Sequence, residues 1–183
     1  MHMNRLSWKG ISVWSVVVGT IVLSSSANAQ TKTLKVGDPA PGFHVGKWYK
    51  GEPIKSLSRG HAYVVEFWAT RCGPCVAGIP HLSGLAKRYR GKLDVAAVSV
   101  LHWQDDSPND TPALVKAFMK TADGKAMGYH VAQDTDNAYM VKNWLGAAGF
   151  EEIPCAFVVG NDGKIAWMGS PKDLDPVLAR IVR

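Results

Sequence analysis

The sequence predicts an α/β domain: a central mixed sheet flanked by helices. Three observations carry this. Short runs of apolar, β-branched residues alternate with segments whose apolar residues recur at three and four. The run Ala62–Trp68 is apolar except for one carboxylate, Glu66, as expected of a strand buried on both faces. Near the C-terminus, two further runs flank Asn161-Asp162-Gly163-Lys164, a hairpin signal that adds antiparallel pairing.

Residues 1–29 stand apart from this pattern. Arg5 and Lys9 precede an apolar run, Ile11–Leu23, that is too short for a comfortable membrane span. Ala27-Asn28-Ala29 then gives an Ala-X-Ala processing pattern. A signal peptide cleaved after Ala29 is expected, leaving one domain over residues 30–183. Gly37-Asp38-Pro39-Ala40-Pro41-Gly42 is a turn-rich lead-in. Phe43–Trp48 and Ile54–Leu57 flank Gly51-Glu52-Pro53 and are expected to pair as an N-terminal β-hairpin.

Ala62–Trp68 is the central strand. From Gly73 the period changes, and Cys75, Ile79, Leu82, Ala86 and Tyr89 share one helix face. Pro80 should kink that helix and Gly91 end it. Leu93–Leu101 reads as a second buried strand, and Trp103–Asp110 as a polar loop. Thr111-Pro112 opens a helix with Leu114, Val115, Phe118 and Met119 inward. Tyr129–Ala132 is a short strand, and Asp136–Leu145 a helix closed by Gly146. Ala156–Val159 and Ile165–Met168 form the closing hairpin. Asp175-Pro176 opens a last helix with Val177, Leu178 and Ile181 inward.

Composition bounds the function. The chain has 183 residues, 46% hydrophobic and 20% charged, which suits one globular domain. The net charge of +6 falls to +4 without Arg5 and Lys9. No basic stripe is interleaved with aromatics, so no nucleic-acid partner is expected. The densest basic run, Lys87–Lys92, reads as a helix end that complements its dipole. A monomer is expected.

Three cysteines are present: Cys72, Cys75 and Cys155. A disulfide across Cys-X-X-Cys closes so small a loop that it adds little stability, which points to redox chemistry instead. Cys72 would sit at a helix N-terminus, where free amides and the dipole favour a thiolate, and Arg71 adds a positive charge. Cys75, one turn in, would be the covered, resolving thiol. Gly73 would let a partner chain approach, and Pro74 fits the first turn. A zinc half-site is the competing reading of this spacing. A closed zinc site needs about four ligands, and no second Cys-X-X-Cys or His-X3-5-His is present. No metal or other cofactor is expected.

Glu66 shares strand parity with Trp68 and Thr70. A carboxyl buried there loses hydration, so its pKa should rise toward neutral, where it could take a proton from Cys75. The competing reading is an edge position or a structural ion pair.

Glu66-Phe-Trp-Ala-Thr-Arg-Cys-Gly-Pro-Cys75, Pro80 five residues on, and Ile153-Pro154 before an apolar strand resemble the thioredoxin superfamily. The export signal, the Gly-Asp-Pro-Ala-Pro lead-in and an extra helix–strand between Trp103 and Ala132 resemble its TlpA/ResA branch of periplasmic thiol–disulfide oxidoreductases. The resemblance implies a thioredoxin-like fold with an inserted helix–strand. Cys72 and Cys75 take the nucleophile and resolver positions. Glu66 takes the place of thioredoxin's buried acid. Pro154 matches a cis-proline that lies against the disulfide. Arg71, Gly73, Pro74, Ile153 and Trp68 would complete the substrate-facing surface. Three departures stand out: Arg71 where the family usually has Trp, Gly78 where some members have Glu, and Cys155 where Thr is frequent.

Gly73-Pro74 is the pair found in reducing thioredoxins, so the expected function is reduction of protein disulfides. The resemblance further implies a membrane electron donor of the DsbD/CcdA kind, and apocytochrome c thiols or copper-site cysteines as clients. Two alternatives stay open. A peroxiredoxin-like peroxidase usually shows Pro-X3-Thr-X2-Cys, whereas here Thr70 lies two before Cys72 and the proline is missing. A copper chaperone would use Cys72, Cys75 and Cys155. His81 reads as a surface or packing residue, and Trp48, Trp103, Trp144 and Trp167 as buried or half-buried aromatics.

Overall fold

The computed structural model describes residues 33–100 and 110–182. The expected signal peptide and the polar loop up to residue 109 lie outside them.

Six strands form one mixed sheet: β1 Val45–Lys50, β2 Ala62–Trp68, β3 Leu93–Ser99, β4 His130–Asp134, β5 Cys155–Val159 and β6 Ile165–Gly169. Their order across the sheet is β1-β4-β3-β2-β5-β6. β2, β3 and β4 are parallel; β1 runs antiparallel to β4, and β5 and β6 add antiparallel pairs on the other side. β2 lies inside because every one of its residues has an apolar layer to meet, and all seven are buried. Val64 and Trp68 join a core with Ile79, Leu82 and Leu85 on one face. Tyr63, Val65 and Phe67 join Met140, Trp144 and Leu145 on the other.

The helix expected from Gly73 forms as two pieces, α1 Gly73–Ala77 and α2 Ile79–Arg88, joined at Gly78. Pro80 has no N–H to continue the ladder, and its ring crowds the preceding turn, so the helix restarts with the proline in its first turn. Lys87 and Arg88 occupy the last turn of α2, as the dipole favours. α3 Pro112–Phe118 starts where expected, with Thr111 accepting the Leu114 N–H at 3.3 Å.

A short α4, Ala122–Ala126, follows and has no counterpart in the sequence reading. It folds back so tightly that a Cβ at Gly124 would lie 2.3 Å from the Phe118 carbonyl oxygen; only glycine fits. The expected helix over residues 136–145 is a π-helical segment, Val141–Gly146, flanked by α-helical residues. A 3-10 turn, Pro171–Asp173, leads into α5 Leu174–Ile181.

The N-terminal hairpin is corrected. No strand forms over residues 54–57. β1 instead pairs antiparallel with β4, Trp48 opposite Ala132. Pro53 offers no ladder N–H, and Ile54 and Leu57 are satisfied by packing on the second core. The free edge of β4, whose other side is taken by β3, is then filled by β1.

Candidate active site

The chain leaves β2 at Trp68 and turns into α1 within four residues. Cys72 closes that turn, its N–H donating to the Ala69 carbonyl at 3.0 Å. Its backbone is extended, which makes it the cap of α1, and the Cys75 N–H donates to its Sγ at 3.2 Å. The structure is the oxidised form: Cys72 and Cys75 are joined as a disulfide, their Cα atoms 5.2 Å apart. Cys72 is half-buried and Cys75 is 3% exposed. One sulfur is reachable from outside; the other is covered by its own helix.

Arg71, Gly73 and Pro74 are exposed around Cys72. Among the described residues nothing lies within 4 Å of where a Gly73 side chain would start. The Ile153–Pro154 peptide is cis, as the resemblance implies. It brings the Ile153 carbonyl oxygen to 3.8 Å from Cys72 Sγ, within reach of a thiol hydrogen once the pair is reduced. Trp68, expected on the substrate-facing surface, is placed elsewhere. It is 1% exposed and packs on Phe118 of α3, ring centroids 5.2 Å apart, within the core that also takes Cys75.

Glu66 sits in the middle of the sheet, between Ala97 of β3 and Ala156 of β5. It is 2% exposed, and its Oε2 has no hydrogen-bond partner among the described residues. Among the described residues no cation pairs with it. The edge and ion-pair readings therefore fail on geometry. Burial pushes its carboxyl up to about 8. Glu66 and Cys75 both line a cavity of about 500 Å³, whose other walls include Pro74, His81, Pro154 and Lys172. Acid and inner thiol thus face the same space. His81 is otherwise tied to Asp175 of α5, which Arg88 also meets at 2.7 Å, a clasp between α2 and α5.

Cys155 stands opposite Phe67 and packs in the second core, across the sheet from Glu66. It is 2% exposed, and burial, reinforced by the Glu66 charge, pushes its thiol up to about 12. Among the described residues no three His, Cys, Asp or Glu side chains are grouped to hold a metal ion. The copper reading therefore gains no third ligand here.

One cluster beside the site escaped the sequence reading. Asp110, just ahead of α3, is fully buried and accepts three hydrogen bonds from described residues. They come from the Thr70 N–H at 2.8 Å, the Thr70 hydroxyl at 2.6 Å and the Ser99 hydroxyl at 2.7 Å. Its only sequence signal is an acid preceding a Thr-Pro helix start, which reads as a cap rather than a tie across 40 residues.

Known proteins bear on this arrangement. The sequence model of the AhpC/TSA family matches residues 36–168. Protein FixW of Rhizobium leguminosarum is 31% identical over 157 residues, spanning 82% of this chain and 67% of FixW. The thiol-disulfide oxidoreductase ResA of a Bacillus cereus strain is 26% identical over 90% of this chain and 87% of ResA. The thioredoxin domain of a thiol-disulfide oxidoreductase from Bacteroides vulgatus superposes with a TM-score of 0.63 at 21% identity, covering 82% of this chain and 99% of that one. That likeness shows the fold.

Proposed function

The chain belongs to the AhpC/TSA family and is a thiol–disulfide oxidoreductase of its TlpA/ResA-like kind, and on that premise we propose an exported reductant of protein disulfides. The observation that carries this is the asymmetry of the pair: a reachable sulfur capping a helix and a covered one facing a buried acid.

Atoms and electrons balance around the cycle. The Cys72 thiolate, favoured by the Cys75 N–H and the helix terminus, attacks one sulfur of a client disulfide. The client S–S bond breaks, and the released client thiolate takes a proton from solvent. Cys75 passes its proton to ionised Glu66 and attacks Cys72 Sγ. The mixed disulfide breaks, the second client thiolate leaves, and the Cys72–Cys75 disulfide remains. Two electrons have moved from the dithiol to the client. With its carboxyl pushed up to about 8, Glu66 is mostly protonated at pH 7 and its ionised minority is a base matched to a thiol.

The exposed Arg71, Gly73 and Pro74 and the Ile153–Pro154 backbone form the docking surface for the client strand. The expected signal peptide supports action outside the cytoplasm, with re-reduction by a membrane dithiol donor of the DsbD/CcdA kind. Cytochrome c cysteines or copper-site cysteines are the clients this reading favours. Against the peroxidase alternative, the Thr70 hydroxyl is committed to Asp110.

A Cys75→Ser protein tests the scheme. It should hold clients as mixed disulfides through Cys72, identifiable by mass spectrometry. Capture through any other cysteine would overturn the assignment.

A further inference from the structure

Residues 69–72 lie beyond the end of β2 and make no sheet pairs, yet they set where Cys72 Sγ stands. Cys72 is tied forward into α1 by its carbonyl and its disulfide; behind it, the turn is held by the Cys72 N–H on the Ala69 carbonyl and by Asp110 on Thr70. Asp110 is itself fixed from two strands. Ser99 at the end of β3 donates to its carboxylate, and Gln133 of β4 donates to its backbone carbonyl at 2.7 Å. The Tyr49 hydroxyl of β1 donates in turn to Gln133 at 2.9 Å. Asp110, Ser99 and Gln133 are all buried, so these bonds face little competition from water. Among the described residues no cation pairs with Asp110; there its charge is met by three donors, two of them from Thr70.

We infer that Asp110 is a positioning residue for the redox step: by gripping Thr70 at both backbone and hydroxyl, it holds the turn that presents Cys72 as the cap of α1. Losing the grip would leave the Thr70 N–H a half-buried donor without its acceptor and let the turn shift. The Cys75 N–H to Cys72 Sγ bond, which favours the thiolate, depends on that turn. Thr70 is thereby tied laterally to the start of α3, so the insert between β3 and β4 braces the active site. The inference rests on the reading of Cys72 as the attacking thiol.

Three variants of the full reduced chain separate positioning from plain stability. Thr70→Val removes one bond to Asp110 on the turn, Thr70→Ser keeps it, and Ser99→Ala removes one bond to the same carboxylate away from the turn. Thr70→Val should slow attack of Cys72 on a small aromatic disulfide at pH 7 by about 3- to 10-fold, the net worth of one ordinary hydrogen bond, since the Thr70 N–H bond remains. Thr70→Ser should restore it to within about twofold, and Ser99→Ala, which loosens Asp110 but leaves both Thr70 bonds in place, should slow attack by less than Thr70→Val does while lowering Tm as much. Equal attack rates in Thr70→Val and wild type, with Tm lowered, would reduce Asp110 to a structural acid. If Thr70→Val does not fold, Asp110→Asn replaces it. Removing an anion near a thiolate would by itself speed attack, so slowing supports the inference and acceleration overturns it. Per-cysteine alkylation of the wild type checks the underlying reading separately: Cys75 labelling faster than Cys72 would sink that reading, whatever the Thr70 variants do.

Discussion

Glu66 and Asp134 are each 2% exposed, and both sit on inner strands of one sheet. They differ in what meets them. Asp134 ends β4 facing the start of the next helical segment. Its carboxylate accepts N–H groups from Thr135 at 2.7 Å, Met140 at 2.9 Å and Val141 at 2.9 Å. Glu66 has an Oε2 with no partner among the described residues and a cavity beside it. Burial raises both carboxyls, but for Asp134 the hydrogen bonds pull the other way. Burial alone therefore does not mark an acid that works. Glu66 differs in having one oxygen without a donor among the described residues and in sharing a cavity with Cys75, and a Glu66→Gln variant tests whether that difference carries proton chemistry.

The largest expected effect is on stability against pH. The Glu66 carboxyl is at about 8 folded and near 4.5 unfolded, so the fold favours the protonated form. Its stabilising contribution is full below about 4.5 and is lost as pH rises through about 8. Oxidised wild type should lose roughly 4 kcal/mol relative to Glu66→Gln between about pH 4.5 and 8.5, read by urea unfolding. Parallel curves for the two proteins would mean that Glu66 finds a partner in solution.

Next in size is the chemistry. Glu66→Gln should slow resolution by Cys75 about 10²-fold with mixed disulfide accumulating, while first attack by Cys72 stays nearly intact. Stopped-flow traces with unchanged resolution would return Glu66 to a structural role and dissolve the contrast. Asp134→Ala should do the reverse: about 2 kcal/mol of stability lost with three unmet N–H donors, and turnover per folded molecule unchanged. The smallest effect belongs to Arg71, whose charge is exposed and screened. Arg71→Ala should slow Cys72 alkylation about twofold at low salt and less at high salt.

Much of this is legible in the residues. The buried acid, the helix-capping cysteine and the covered second thiol follow from the run Ala62–Trp68 meeting Cys-X-X-Cys, because strand parity and helix start are local properties. The hairpin at residues 43–57 fails because β1 chooses a partner more than 80 residues away, Trp48 opposite Ala132, and periodicity says nothing about which open edge a strand will fill. Trp68 reads as surface-facing because it borders the cysteines. Its burial depends on Phe118, brought over by α3. α4 is hard to see because Asp123 and Gly124 weaken any helical pattern, and the reason for Gly124 is a close approach to Phe118. Asp110 is hidden for the same reason: its partners come from separate stretches of chain.

The placement of Cys155 has a practical corollary. A chain with an odd number of cysteines risks a spare thiol that crosslinks copies or scrambles the working bridge. Here the spare sulfur is withheld twice, by the second core and by a thiol that stays protonated up to about 12. A thiol reagent should therefore leave Cys155 unlabelled on the reduced native protein and reach it only after denaturation. Mispairing through Cys155 would first require the second core to open, so a numerical oddity of the sequence is offset by where one strand puts one side chain.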